Sequence, residues 1–125
     1  MANPNIVNVT SIYGNTTYLT PSSGSTATVW TALTPAVGTV NKVNNIVASN
    51  VTASAVAVTV SINSAVSGGG TAYDIAYQIS VPANASLIII DKTTSIYVGE
   101  AQSIVVTVGT GSAIELTSSY EAITS

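Results

Sequence analysis

Residues 72–108 read AYDIAYQISVPANASLIIIDKTTSIYVGEAQSIVVTV, and their pattern decides the fold. Tyr73, Ile75, Tyr77, Ile79 and Val81 alternate with Ala72, Asp74, Ala76, Gln78 and Ser80, the period-two signature of a strand with one dry and one wet face. Tyr73 and Tyr77 share the phase of Ile75 and Ile79, which places both tyrosines in the core. Pro82 ends the run because it cannot donate to a ladder, and Asn84 suits turn geometry. Leu87, Ile88, Ile89 and Ile90 are apolar without alternation, as in a central strand covered on both faces. After a turn at residues 91–94, residues 96–98 form a short strand that stops at Gly99 and Glu100. Residues 103–108 then alternate again through Ile104, Val106 and Val108. Asp74, Asp91, Lys92 and Glu100 are the charges in this stretch, and they read as solvated punctuation.

The same grammar extends outward on both sides. Gly14-Asn15, between Ile12-Tyr13 and Tyr18-Leu19, admits positive φ and predicts a hairpin. Residues 1–24 are accordingly set apart as an N-terminal arm or hairpin on a single β-sandwich domain spanning residues 1–125. Residues 26–33 (TATVWTAL) predict a strand, with Trp30 as a core or interface anchor. In residues 40–51 (VNKVNNIVASNV) Val43, Ile46 and Val47 do not share one parity, which calls for a bulge or a strand buried on both faces. Val56, Val58, Val60 and Ile62 line one face of the next strand. Residues 64–70 (SAVSGGG) read as a flexible loop that moves at its triple glycine. The last strand, residues 113–120, sets Ile114, Leu116, Ser118 and Tyr120 against Glu115, Thr117 and Ser119. No segment has a helical period. Eight or nine short strands separated by Gly, Pro and Asn turns predict an all-β antiparallel β-sandwich or jelly roll, with a closed small barrel as the alternative.

Composition narrows the function. Hydrophobic residues make up 46% of the chain and charged residues only 6%, against about a quarter charged in an ordinary globular domain. Part of the surface is therefore expected to be covered by copies of the chain or by a partner. Two lysines, no arginine and a net charge of -3 give no footprint for phosphate, so no nucleic-acid partner is expected. The opening MANPNIVNVT has no basic segment followed by an apolar run, and no apolar stretch approaches the length of a membrane helix. Neither secretion nor a membrane partner is expected.

Chemistry has little to work with. The chain has no His and no Cys, and Ser and Thr hydroxyls need a base to become nucleophiles. A base from Lys42 or Lys92 would have to come from what reads as plain surface. Paired-carboxylate catalysis would need two of Asp74, Asp91, Glu100, Glu115 and Glu121 to converge in a cleft, whereas they read as isolated solvated groups on turns and outward faces. Asp91 and Glu100 could meet between turns around calcium, but no loop motif supplies the ligand spacing. The glycine clusters at residues 68–70 and 109–111 precede no helix and carry no P-loop lysine. No cofactor and no enzymatic activity are expected. Asn8, Asn15, Asn50 and Asn84 open Asn-X-Ser/Thr triplets, read here as a by-product of a composition rich in Asn, Ser and Thr. Tyr13, Tyr18, Tyr97 and Tyr120 are the tyrosines left for subunit or partner contact.

The strings MANPNIVNVTSIYGNTTYLTPSS, VNKVNNIVASNV, ISVPANASLIIIDKTTSIYVGEAQSIVVTVGT and SSYEAIT resemble small virion structural proteins of tailed bacteriophages, notably those infecting marine cyanobacteria. Most distinctive are the turn at residues 81–87 (VPANASL) and the turn at residues 99–104 (GEAQSI). The resemblance implies no catalytic residue. It implies assembly: a capsid decoration, or cement, protein that stabilises the head shell. Copies of itself and the major capsid protein, or a neighbouring virion protein, would be its partners. Synthesis in the host cytoplasm and residence in the virion follow from the same resemblance. A neck, collar, tail or fibre component is the alternative, and a carbohydrate-binding module is the alternative of another class.

Overall fold

The computed structural model describes residues 4–125. It contains ten strands: β1 (Ser11–Leu19), β2 (Thr28–Val29), β3 (Thr39–Val43), β4 (Ile46–Asn50), β5 (Val56–Asn63), β6 (Ala72–Val81), β7 (Ser86–Ile90), β8 (Ile96–Val98), β9 (Ser103–Val108) and β10 (Ile114–Thr124). Short 3-10 turns at Thr31–Leu33, Val66–Gly68 and Lys92–Thr94 complete the elements. No helix among the described residues is long and apolar enough to cross a membrane.

All pairings are antiparallel. The smaller sheet runs β2-β9-β5-β6, and the larger runs β7-β4-β10-β3-β8 with β1 also on β10. A strand has only two edges. Because β1 occupies one edge of β10 along Leu116 to Thr124, β3 and β4 must lie end to end on the other. By the same logic β8 and β7 lie end to end outside them. The larger sheet is thus four rows deep: β1, β10, β3 with β4, and β8 with β7. Two four-row sheets, visited in the order larger, smaller, larger, smaller, smaller, larger, smaller, larger, make a jelly roll.

The bulge foreseen in residues 40–51 is what joins β3 to β4. From Val43, opposite Tyr120, to Val47, opposite Thr117, this row takes four steps against three. The extra residue lies at Asn44-Asn45, whose two amides both donate to the Ser119 carbonyl, at 2.9 and 3.4 Å. Asn45 Oδ1 in turn accepts the Ser119 amide at 2.8 Å. One inserted residue flips the phase, so Val43 and Ile46 both reach the core.

Several expectations change for related reasons. Gly14-Asn15 makes no hairpin, because β1 runs unbroken along nine residues of β10. In residues 26–33 only Thr28–Val29 is strand, and the chain then tightens into a 3-10 turn that buries Trp30 and Leu33. β7 sits in an outermost row and is not central. Its burial alternates from Leu87 to Ile89, leaving Ile88 exposed on the outer face opposite Val47, and the register shift between Ile46 and Val47 then brings Ile90 into the core beside Ile89.

β6 is the largest departure. It is an edge strand with two extra residues, one between the partners of Val58 and Val60 and one between those of Val60 and Ser61. Gln78 takes φ +48 within the first of these, and its amide donates to Thr59 Oγ1 at 2.9 Å. The first insertion leaves Tyr77 and Gln78 together opposite Thr59 and turns Tyr77 outward. The second restores the phase, setting Tyr73 opposite Ile62, where its place on an edge strand leaves it exposed, so neither tyrosine is buried.

Residues 64–70 are bonded back onto the sheet rather than loose. Asn63 Oδ1 accepts the amides of Ala65 and Gly70, and Ser103 Oγ accepts from Gly68 while donating to the Ala65 carbonyl. Gly68, at φ +69, lies against Val105 and Val29 and caps the outer side of the smaller sheet there.

The core lies between the sheets. Val58, Val60, Ile104, Val106 and Val108 from the smaller sheet meet Val43, Ile46, Ala48, Ile114 and Leu116 from the larger, with Trp30 and Leu33 closing one margin. Each such side chain contributes about 1.5–3 kcal/mol by leaving water. The sandwich leaves most charged groups to its rims and outer faces, while a few polar side chains, Ser118 and Asn41 among them, are buried.

Candidate interface on the outer face of the larger sheet

Cross-strand register sets out this face row by row. Ile12, Ile123 and Val40 form one row; Gly14, Glu121, Lys42 and Tyr97 form the next; Tyr18, Thr117, Val47 and Ile88 form another. Thr16 and Ser119 lie between them with hydroxyls 3.3 Å apart. Ile123 and Val40 are buried although they point away from the core, and Pro4 is buried beside them. Pro4, Ile6, Val40 and Tyr97 enclose a shallow pocket of ≈ 260 Å³, so the segment before β1 lies over this end of the sheet.

The bulge opens a larger depression of ≈ 520 Å³ lined by Lys42, Asn44, Asn45, Val47, Ile88, Asp91, Lys92 and Glu121. Both lysines of the chain stand here. The two lysines balance Asp91 and Glu121, leaving Asp74, Glu100 and Glu115 to account for the net charge of -3. Lys42 and Glu121 are direct cross-strand partners. Val47 and Ile88 form an apolar floor under the Asn44 and Asn45 amides. Such a surface can bind, through ammonium and amide donors over an apolar base.

The carboxylates have structural work. Asp91 Oδ1 accepts from the Thr93 hydroxyl at 2.6 Å, the Thr93 amide at 2.9 Å and the Thr94 amide at 3.2 Å. The Asp91 amide in turn donates to Thr94 Oγ1, completing a capping box. The Thr93 hydroxyl first, then its amide, hold the Asp91 carboxyl below its ordinary value. A depressed folded value means that this cap is fully present above the unfolded carboxylate range and is lost as pH falls through the lower folded value. Backbone amide shifts of Thr93 and Thr94 should therefore titrate together, with a midpoint below that of an unstructured Asp. An ordinary midpoint would show that the cap does not hold.

Glu100, expected to be solvated, is buried, and its Oε2 accepts the Gly38 amide at 2.7 Å. Gly38 takes φ +76, a left-handed turn that places its N–H toward Glu100. Charge-assisted bonds of this kind contribute about 1.5–3 kcal/mol. Glu100→Ala should lower the urea midpoint by an amount corresponding to about 2 kcal/mol, and Glu100→Gln should recover part of it. Among the described residues no group of three His, Cys, Asp or Glu could hold a metal ion.

The four candidate tyrosines do not converge. Tyr18 and Tyr97 lie on this outer face, 79% and 45% exposed, while Tyr13 is exposed on the opposite phase of β1. Tyr120 is packed against the core from the inner side of β10. The depression was missed from sequence because Lys42 and Lys92 are brought together only through the β3–β8 pairing. The Asn50 triplet proved to be architecture: Asn50 is buried, with its amide nitrogen bonded to the Ser54 and Val81 carbonyls.

No family model matches the chain, and no curated protein matches it. Its fold is similar to that of a chain from the disulfide-linked pili of Bacillus endospore appendages, at 14% identity over 92% of this chain and 88% of that one, with a TM-score of 0.50. It is also similar to a chain of the IBDV viral particle, at 7% identity and a TM-score of 0.53. That match covers 91% of this chain and 31% of the viral one, so the present chain spans about a third of its length. At these identities the likeness is one of fold.

Proposed function

We propose that the chain is a non-enzymatic virion component, a capsid decoration (cement) protein that lies on the head shell of a tailed bacteriophage and stabilises it. The observation that carries this reading is a jelly roll whose larger sheet turns an apolar, aromatic and charge-balanced face to solvent. Tyr18, Ile88, Tyr97 and Ile12 are all large and exposed there, in a chain with too little charge to keep such a surface free of neighbours. Copies of itself and the major capsid protein, or another neighbouring virion protein, are the partners. The resemblance of the sequence to small phage virion proteins and the jelly-roll likeness to a viral-particle chain support the same assignment.

A tail or fibre component is the second reading, supported by the likeness to a pilus chain over nearly the whole of both molecules. That pilus is disulfide-linked, whereas this chain has no cysteine, so any filament it formed would be held without disulfides. Cryo-electron microscopy of the virion separates the two. Density for this fold spread over the head shell is expected; density confined to one vertex or to the tail would overturn the decoration assignment. The depression over Val47 and Ile88 is the feature a carbohydrate-binding module would use, and glycan-array binding by the purified chain would favour that class instead.

A further inference from the structure

We infer that two copies of this chain associate by pairing their β1 strands edge to edge, antiparallel about a two-fold axis at Asn15, so that the larger sheets of both copies become one continuous sheet. The inference rests on the reading of the chain as an assembling coat component, and it names the edge through which copies meet.

An open sheet edge is a row of unpaired backbone donors and acceptors, and proteins that stay single blunt such edges. Three of the four outermost rows here are blunted. β2 is two residues long. β6 carries two inserted residues and Asp74. The β7 and β8 row is interrupted by the Asp91 turn. β1 is different. Its register with β10 is constant over nine pairs, it has no proline and no charged residue, and among the described residues no strand lies on its other side. Indeed no Asp, Glu, Lys or Arg occurs before Lys42. The one long regular edge is therefore also the part of a net-negative molecule with no charge to repel a copy of itself.

Symmetry makes the same strand its own complement. About Asn15, Ser11 faces the other copy's Leu19, Tyr13 faces Thr17, and Ile12 faces Tyr18. Ile12 and Tyr18 share the outer face of the sheet and are 55% and 79% exposed. The pairing thus makes two identical aromatic–aliphatic cross-strand contacts, the kind that stabilises antiparallel pairs. It meets the requirement that a two-fold interface be self-complementary.

Sedimentation of the full chain across a concentration series tests this, together with single cysteines placed in a background that has none. Wild type is expected to dimerise reversibly. Ile12→Lys with Tyr18→Lys sets like charges opposite each other twice and should weaken association by roughly tenfold or more. Ile12→Lys with Tyr18→Glu sets opposite charges in the same two places and should restore it. Tyr73→Lys, on the exposed part of β6, should change nothing. Asn15→Cys should oxidise readily to a covalent dimer. Ser11→Cys should not, because its two copies would be about 27 Å apart at ~3.4 Å per residue. A wild type monomeric at every concentration, or equal cross-linking by the two cysteines, would overturn the inference. Those outcomes leave the virion assignment standing if the fold is still found on the head. A β1-paired dimer absent from virions would instead defeat that assignment and keep the pairing.

Discussion

Ile104→Asp is expected to leave no folded protein at neutral pH. Ile104 is 0% exposed, lies opposite Ile62 in the middle of the smaller sheet, and belongs to the main core cluster. The substitution removes a buried aliphatic side chain, which costs about 2–5 kcal/mol on truncation alone. It also places a carboxyl among the apolar side chains of the core, which costs several kcal/mol more. Against a total stability of about 5–15 kcal/mol, the sum is not survivable. Val58→Asp, at the same depth on β5, should behave alike. Tyr77→Asp is the informative contrast, since Tyr77 is 62% exposed and its variant should keep a native near-ultraviolet circular dichroism spectrum and a cooperative thermal transition. A folded Ile104→Asp protein would mean that the two sheets do not enclose this face.

Ile104 and Tyr77 also mark the boundary of what the sequence makes legible. Both sit in runs of alternating apolar residues, and alternation predicts burial for both. It succeeds for β5, β9 and β10 along the positions that pair without interruption and have a strand on each side. It fails for β6 because the first inserted residue turns Tyr77 over, and because an edge strand packs less of either face, which leaves even Tyr73 and Ile79 exposed although they are in register with Ile62 and Val58. The bulge between Val43 and Ile46 left a trace in the sequence, a change of parity, and that trace was readable. The insertions in β6 left none, because Tyr73, Ile75 and Tyr77 keep step in the chain while the register against β5 slips twice beside them.

Gly14-Asn15 failed as a turn signal for another reason. A local dipeptide competes with an eleven-residue partner strand, and nine ladder positions outweigh one favourable turn. The candidate surface was legible only in its inventory. Scarcity of charge and the exposed tyrosines pointed to contact with neighbours. The gathering of both lysines over Val47 and the burial of Glu100 against Gly38 depend on pairings between residues about fifty or more positions apart.

The second-largest effect is expected at Asn50, where the chain leaves the larger sheet for the smaller. Its side chain is buried and fully engaged: Nδ2 donates to the Ser54 carbonyl at 2.8 Å and the Val81 carbonyl at 3.0 Å. Oδ1 accepts from the Thr52 amide at 2.9 Å and the Thr52 hydroxyl at 2.7 Å. Val81 ends β6, and the Asn50 and Asn84 backbone amides donate to the Ala85 and Thr52 carbonyls across the same corner. One amide therefore binds the β4–β5 connection to the β6–β7 connection and fixes how the sheets close. Asn50→Ala takes the partner from the Thr52 amide and the Asn50 donor from the Val81 and Ser54 carbonyls, the latter keeping the Thr52 hydroxyl at 3.0 Å. It should cost about 3 kcal/mol, a fall of roughly 10 °C in melting temperature for a domain of this size. Asn50→Asp keeps the acceptor toward Thr52 but turns a second oxygen toward two carbonyls, and should cost more than alanine at neutral pH.

The two variants then separate on acidification. Burial and the facing carbonyls raise the introduced carboxyl above its unfolded value, so its penalty grows as pH rises above the ordinary carboxylate range and relaxes below it, where a protonated acid can donate one of the lost bonds. Relative to wild type at each pH, Asn50→Asp should recover part of its melting temperature between pH 7 and about pH 4, while Asn50→Ala should not. Parallel behaviour of the two would show that the corner is held by shape alone and not by the donors and acceptors of this amide.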